Sequence, residues 1–385
     1  LLVSDPYYHH PIDRFQKRGV VYECNIENLM CRIVSFTNPV HLPTFSVSTV
    51  DFTNALFGVT LATSKKWIMA CAPNLKHKFN LSNNHLRMER PNDLDMPGLC
   101  QLIDINQESV AYLEPPGLVN WERQNFNREG FGMFGFSAVF AENSKRIIST
   151  SPGSYYFQGQ VHSFQIPDIT SNVYHKIRPK SFPNIESDEF SNDWCYRGYS
   201  VAVGNFDGDN LEDVVTAVPK LNNYAGAVEI FDSELNLLAV LRGDQPGAYF
   251  GGSLLVMDIN GDNLDDIIIG SPMFSCKKGL FLPECGKVDV YVQTIERSFI
   301  HSNSIFGSHR NGRFGSSLSN IGDINGDGFL DVAISEPYSE NGIVSIYQGS
   351  PYGLATDTNQ ILKPRENVKL FGIGLPNKLK IEKDK

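Results

Sequence analysis

One acidic nine-residue pattern occurs three times in this chain, at Asn205–Asp213, Asp258–Asp266 and Asp323–Asp331. Oxygen-bearing side chains stand at positions 1, 3, 5 and 9, and glycine at position 4. The first copy sets Asn205, Asp207, Asp209 and Asp213 around Gly208. The second sets Asp258, Asn260, Asp262 and Asp266 around Gly261, and the third Asp323, Asn325, Asp327 and Asp331 around Gly326. A tight turn of this composition converges carboxylates on one hard cation, and Ca2+ takes about 6–8 oxygen ligands. The carbonyl at position 7, from Leu211, Leu264 or Phe329, is the natural backbone ligand. The loops stop at nine residues and lack the bidentate Glu of an EF-hand. A single acidic turn would be an ordinary hairpin. Three in equivalent positions predict a repeat protein with three Ca2+ sites.

Other cues recur with the loops. An aromatic-glycine step appears at Phe57-Gly58, Phe134-Gly135, Phe250-Gly251, Phe314-Gly315 and Phe371-Gly372, with Arg197-Gly198-Tyr199 in the same role. Short apolar runs end at Pro6, Pro73, Pro152, Pro219, Pro272 and Pro337, and each unit closes on a glycine: Gly19, Gly98, Gly159, Gly226, Gly286 or Gly342. The runs are β-branched and bounded by Gly or Pro, which predicts buried strands. Proline cannot donate to a ladder and marks the strand's end. No amphipathic helix of three or more turns is evident. Repeats of roughly 55–75 residues with about four strands each predict propeller blades. Length alone would suggest two or three domains; the repeat overrides that prior.

In combination these motifs resemble the FG-GAP repeats of integrin alpha subunits, over residues 1–372. Pro152–Val161 resembles the third-blade signature, Tyr196–Gly204 the fourth, and Ala248–Gly251 and Ile343–Gly349 fit the fifth and sixth. The resemblance implies an all-β, seven-bladed-type β-propeller that is incomplete. Blade 1 is partial over 1–50, followed by blades at 51–115, 116–185, 186–240, 241–300 and 301–362. Residues 363–372 begin a seventh blade, and 373–385 form a divergent Lys-rich tail. A fragment truncated at both ends is therefore expected. No stretch approaches the ~20 apolar residues of a spanning helix, so membrane attachment would come through other regions of a full-length subunit.

The resemblance further implies an adhesion-receptor head that pairs with an integrin beta subunit and binds an extracellular-matrix ligand on its upper face. Phe136 and Tyr199 match the aromatics that cage a basic side chain of the beta subunit, whereas Gly252 stands where an aromatic is usual. Cation–π attraction there can contribute ~2 kcal/mol. Tyr156 and Asp193 match ligand-binding positions of Arg-Gly-Asp-binding relatives. Asn127 replaces the second carboxylate of that clamp. Losing a bidentate, charge-assisted partner weakens an Arg clamp, so another matrix ligand is expected. Leu102–Phe131 is too short for an inserted domain, leaving the propeller to contact ligand directly. The chain's own Arg242-Gly243-Asp244 falls in an inter-blade segment and reads as coincidence.

Of seven cysteines, the family-like spacings imply Cys24–Cys31, Cys71–Cys100 and Cys276–Cys285 disulfides, with Cys195 left over. Disulfides imply an oxidising compartment, where millimolar Ca2+ suits such loops. The sequon Asn80-Leu81-Ser82 is a glycosylation candidate. The expected location is the extracellular face of the plasma membrane, or luminal and secreted for this chain alone. A formal charge of −10 argues against nucleic acid. No Gly-x-Ser-x-Gly elbow, His-Glu-x-x-His or phosphate loop occurs, so no enzyme is expected. The alternatives are the FG-GAP propeller of a secreted hydrolase and a calcium-dependent lectin-like module.

Overall fold

The computed structural model of the chain describes residues 2–7, 19–25, 28, 30–34, 50–51, 54–78, 94–104, 110–113, 121–123, 126–127, 130–166, 180–182, 192–277, 281–358, 360–365 and 368–376. These fall into two compact units, 1–198 and 199–385. Both are built from antiparallel meander sheets, and the fold is all-β, an incomplete β-propeller. The one helical segment among the described residues is the four-residue Ser154–Phe157.

In the first unit, Leu2–Asp5, Val20–Cys24 and Cys31–Ile33 make a three-stranded sheet. A four-stranded sheet runs Thr60–Thr63, Trp67–Ala72, Leu99–Asp104, Val110–Leu113, and another runs Ala138–Ala141, Arg146–Ser151, Gln160–Gln165, Lys180–Phe182. The second unit holds three four-stranded sheets. The first comprises Val201–Gly204, Asp213–Val218, Ala227–Phe231 and Leu237–Arg242; the second Ser253–Met257, Asp266–Ser271, Lys287–Gln293 and Phe299–Phe306. The third comprises Leu318–Gly322, Asp331–Glu336, Ile343–Tyr347 and Gln360–Leu362. In all five four-stranded sheets the second strand is buried along its whole length. This is why the proline-terminated runs read as continuous apolar or small stretches without alternation.

Two of the recurring cues turn out to be halves of one junction. Gly98 closes one blade at φ +80°, and a Cβ there would fall 2.3 Å from the carbonyl oxygen of Phe134. Gly98 and Phe134 also form a parallel bridge. The closing glycines Gly19 and Gly159 meet Phe57 and Arg197 in the same way, and in the second unit Gly226, Gly286 and Gly342 meet Phe250, Phe314 and Phe371. Backbone-to-backbone contact this close admits only hydrogen at the glycine. The aromatic half then fills the core: Phe134, Phe250 and Phe314 are each at most 3 % exposed, and burial of such a ring contributes about 1.5–3 kcal/mol.

Disulfides join Cys24 to Cys31, Cys71 to Cys100, and Cys276 to Cys285, while Cys195 is buried and belongs to none of these bonds. The first two bonds link residues that face one another across neighbouring strands.

Candidate metal loops and recognition loop

Each acidic nonamer is the hairpin loop between the first and second strands of its blade. The aspartate at position 9 opens the buried second strand. Asp213, Asp266 and Asp331 are therefore delivered by rigid backbone, each with no exposed surface. The rest of the loop is organised by its own side chains. The position-1 oxygen accepts from the position-4 amide at 2.8, 2.7 and 2.6 Å in the three loops. The position-3 oxygen accepts from the position-5 amide at 3.0, 3.1 and 3.1 Å. The position-5 carboxylate accepts from the position-7 amide at 2.7, 2.9 and 3.0 Å. One Oδ2 of each position-9 aspartate accepts from the position-2 amide of Phe206, Ile259 or Ile324, at 2.7, 3.1 and 2.9 Å. These Asx-type turns fold the backbone of each loop back on itself. In the first loop, ligand atoms of Asp207, Asp209 and Asp213 all lie within 4.8 Å of one another.

The loops differ at the second position-9 oxygen. Asp266 Oδ1 accepts from the Gln293 amide at 2.9 Å and Asp331 Oδ1 from the Gly349 amide at 3.1 Å. Asp213 Oδ1 is buried with no hydrogen-bond partner. Leaving such an oxygen unsatisfied costs about 1–3 kcal/mol, more for a charged group. Burial pushes Asp213 up to about 6 and Asp266 up to about 7, against the partial relief of their backbone hydrogen bonds; Asp331 moves the same way for the same reason. Neighbouring loop carboxylates add to each rise. Each loop gathers three carboxylates, and the all-oxygen donor sets fit a hard divalent cation. The first two loops are also tied together: Asn205 donates its amide to Asp265 Oδ2 at 2.8 Å, and Gln293 Nε2 donates to the Phe206 carbonyl at 2.6 Å. Gln293 and Asp265 lie outside the nine-residue ligand pattern or at its non-ligand position 8, so spacing gave no reason to single them out.

The first unit carries a second unusual loop. Tyr155, Tyr156 and Phe157, all non-glycine, take φ of 51°, 59° and 64° in succession. Left-handed backbone at non-glycine residues costs roughly 1 kcal/mol or more each, and concentrates at functional sites. The loop is braced by Phe157, stacked on Trp194 at 4.8 Å, and by Tyr196 and Phe131 at 5.4 and 6.2 Å from the Phe157 ring. Gln158 Nε2 donates to Asp193 Oδ1 at 2.7 Å. The structure thus brings the neighbours of Tyr156 and Asp193 together. Asn127 pairs through its backbone with Trp121; its side chain lies outside the described residues. Trp194, 55 % exposed, was not singled out from sequence, and its place beside Asp193 was the available signal.

The FG-GAP repeat family matches residues 197–231, 250–292 and 314–347, one stretch for each blade that bears an acidic loop. Among curated relatives, Integrin alpha-8 of Gallus gallus is 33 % identical over 358 residues, covering 89 % of this chain and 33 % of the relative. Integrin alpha-PS2 of Drosophila melanogaster is 30 % identical over 94 % of this chain and 28 % of its own length. Integrin alpha-V of Gallus gallus is 29 % identical over 100 % of this chain and 37 % of its own. This chain is an integrin-alpha-type FG-GAP propeller. It spans about a third of the length of these relatives.

In the propeller's first unit Phe136 is half-buried, and its carbonyl accepts from Thr60 Oγ1 at 2.9 Å. In the second unit Tyr199 is half-buried and edge-on to Tyr249 at 5.3 Å; burial raises its phenol above the ordinary value. A Cβ at Gly252 would meet Pro272 Cδ at 2.7 Å, which leaves no room there for an aromatic side chain without a shift. The propeller's Arg242-Gly243-Asp244 is not a protruding tip. Arg242 ends a strand, Gly243 donates its amide to the Gly226 carbonyl at 3.0 Å, and Asp244 pairs at 2.9 Å with Lys287, whose side chain is 5 % exposed. Asn80 and most of the Lys-rich tail, 377–385, lie outside the described residues. No helix among the described residues is long and apolar enough to cross a membrane.

Proposed function

We propose that this chain is the ligand-binding head of an integrin-type adhesion receptor, held rigid by Ca2+ at three loops, and that it has no catalytic role. The first ion would be held by Asn205, Asp207, Asp209, Asp213 and the Leu211 carbonyl. The second would be held by Asp258, Asn260, Asp262, Asp266 and the Leu264 carbonyl, and the third by Asp323, Asn325, Asp327, Asp331 and the Phe329 carbonyl. When bound, the ion supplies the positive charge that the converging carboxylates lack. The observation that carries this reading is the common hydrogen-bond frame of the three loops, each closed by a buried aspartate of elevated pKa. It is supported by relatives that are all integrin alpha chains.

The chain's residues divide the work. Strand-borne aspartates fix each metal loop to the core of its own blade, so a bound ion would stiffen that blade. Tyr156, Asp193 and Asn127 are the proposed ligand contacts, with Gln158 orienting the Asp193 carboxylate. Phe136 and Tyr199 are the proposed contacts for a basic side chain of an integrin beta subunit. With an amide at Asn127 in place of a carboxylate, the ligand is an extracellular-matrix protein recognised without a two-carboxylate Arg clamp. Three disulfides and the Asn80 sequon support an extracellular location.

The test is secretion of the chain together with integrin beta ectodomains, followed by pull-down in Ca2+ and in chelator. A one-to-one, calcium-dependent complex is expected. A folded, Ca2+-loaded chain that pairs with none of them overturns the receptor reading.

A further inference from the structure

We infer that Arg297 is a built-in counter-cation of the first metal loop, which sets that loop's Ca2+ affinity below the value its ligands alone would give. The inference rests on the calcium reading above. Position 4 is where each loop presents bare backbone, and the three glycines there meet different covers. A Cβ at Gly208 would lie 2.1 Å from Arg297 Nη2 and 2.7 Å from its Cζ, so the guanidinium rests directly on the loop between Asp207 and Asp209. At Gly261 the nearest atom is Cε1 of the Phe329 ring, at 3.2 Å, and at Gly326 nothing lies within 4 Å. One frame therefore carries a cation, a ring and open space.

The guanidinium reaches the loop from the neighbouring blade, on the turn between Lys287–Gln293 and Phe299–Phe306. That turn is closed by Arg297 donating its amide to the Thr294 carbonyl at 2.9 Å and by Thr294 donating to Ser298 at 2.8 Å, with Arg297 at φ 62°. Among the described residues the guanidinium has no hydrogen-bond or ion-pair partner. Its charge acts through space on Asp207 and Asp209, which are exposed, while the unpartnered oxygen of Asp213 lies buried beneath them. The arginine side chain is a planar, delocalised cation. A divalent ion entering this loop must bind against a positive charge that the other two loops do not have at position 4. Such a repulsion falls with distance and is screened by salt.

Equilibrium dialysis of Ca2+ against the full chain tests this, in wild type, Arg297→Gln, Arg297→Lys and Asp209→Asn, at low and high salt. Arg297 is exposed, so its substitution leaves the fold intact, which a thermal melt in chelator checks. Wild type should bind three ions, and Asp209→Asn should lose or strongly weaken one class. Arg297→Gln should tighten that same class roughly three- to tenfold at low salt, with the gain shrinking at high salt, and Arg297→Lys should stay near wild type. An unchanged class, a weakened one, or an equal shift in all three overturns the role of Arg297. A folded wild-type chain that binds no Ca2+ overturns the calcium reading itself, and this inference with it.

Discussion

Lowering the pH from 7.5 to 5.0 should destabilise the first unit by about 2 kcal/mol through a single residue, His162. The ring has no exposed surface and sits between Ser151 Oγ at 2.7 Å and Ser181 Oγ at 2.8 Å, with the Phe134 ring 5.4 Å away. Burial lowers its pKa from 6.5 to about 3. The unfolded chain therefore takes up this proton first. His162 imposes no penalty above pH 6.5, and stability falls as pH drops through 6.5 until about 3, where the folded state is protonated too. At pH 5.0 the chain is 1.5 units below the unfolded value, and at 1.36 kcal/mol per unit this is about 2 kcal/mol. At pH 7.5 the same expression gives under about 0.1 kcal/mol. The folded value does not enter while it stays below about 4. Urea unfolding of wild type and His162→Gln at both pH values reads the effect, because glutamine can keep a donor and an acceptor between the two serines. The difference between the two pH dependences isolates His162 from Asp213 and Asp266. Their raised pKa values act in the opposite sense, since the folded loops hold protons more tightly than the unfolded chain. Equal pH dependence in the two proteins would refute the reasoning. The consequence is local as well, because Ser151 leads directly into the proposed recognition loop at Pro152–Gly159. Acid should loosen that loop before the rest of its sheet.

Three other outcomes are expected. Asp213→Asn, Asp266→Asn and Asp331→Asn should each remove or strongly weaken one bound Ca2+, and should lower the melting temperature in Ca2+ but not in chelator; dialysis and paired thermal melts check this. Replacing Cys71 and Cys100 by alanine opens a link across 29 residues and should lower stability by about 3–4 kcal/mol on the loop-entropy scale, measured by urea unfolding against the oxidised parent. Lys287→Met should cost about 3–5 kcal/mol, because Asp289, 3 % exposed in its side chain and 3.0 Å from Lys287 Nζ, is left buried without that partner; a double variant with Asp289→Leu should recover most of the loss.

Much of the fold was legible because its rules are local. The nine-residue loops, the prolines that end buried strands and the closing glycines each obey a constraint set by a few neighbouring residues. The three disulfides followed from family spacing, and the geometry joins the same cysteines. The candidate sites were legible only in part. The candidate ligand positions 1, 3, 5 and 9 could be read off, but not the inequality among the loops, since Gln293, Gly349 and Arg297 reach them from elsewhere in the chain. The stack of Phe131, Phe157 and Trp194 joins residues up to 63 positions apart, and no periodicity links them.

The sequence by itself determined the repeat, the all-β class and the oxygen-rich composition of three acidic loops, because turn geometry and strand burial are fixed by short-range composition. Tertiary structure decided why the repeat has its form: the closing glycine of one blade touches the aromatic-glycine step of the next, so neither cue has meaning alone. It also decided which carboxylate oxygen stays unpaired and which loop carries a cation. Those features depend on atoms brought within a few ångströms by packing, and packing between blades is not written in any single repeat.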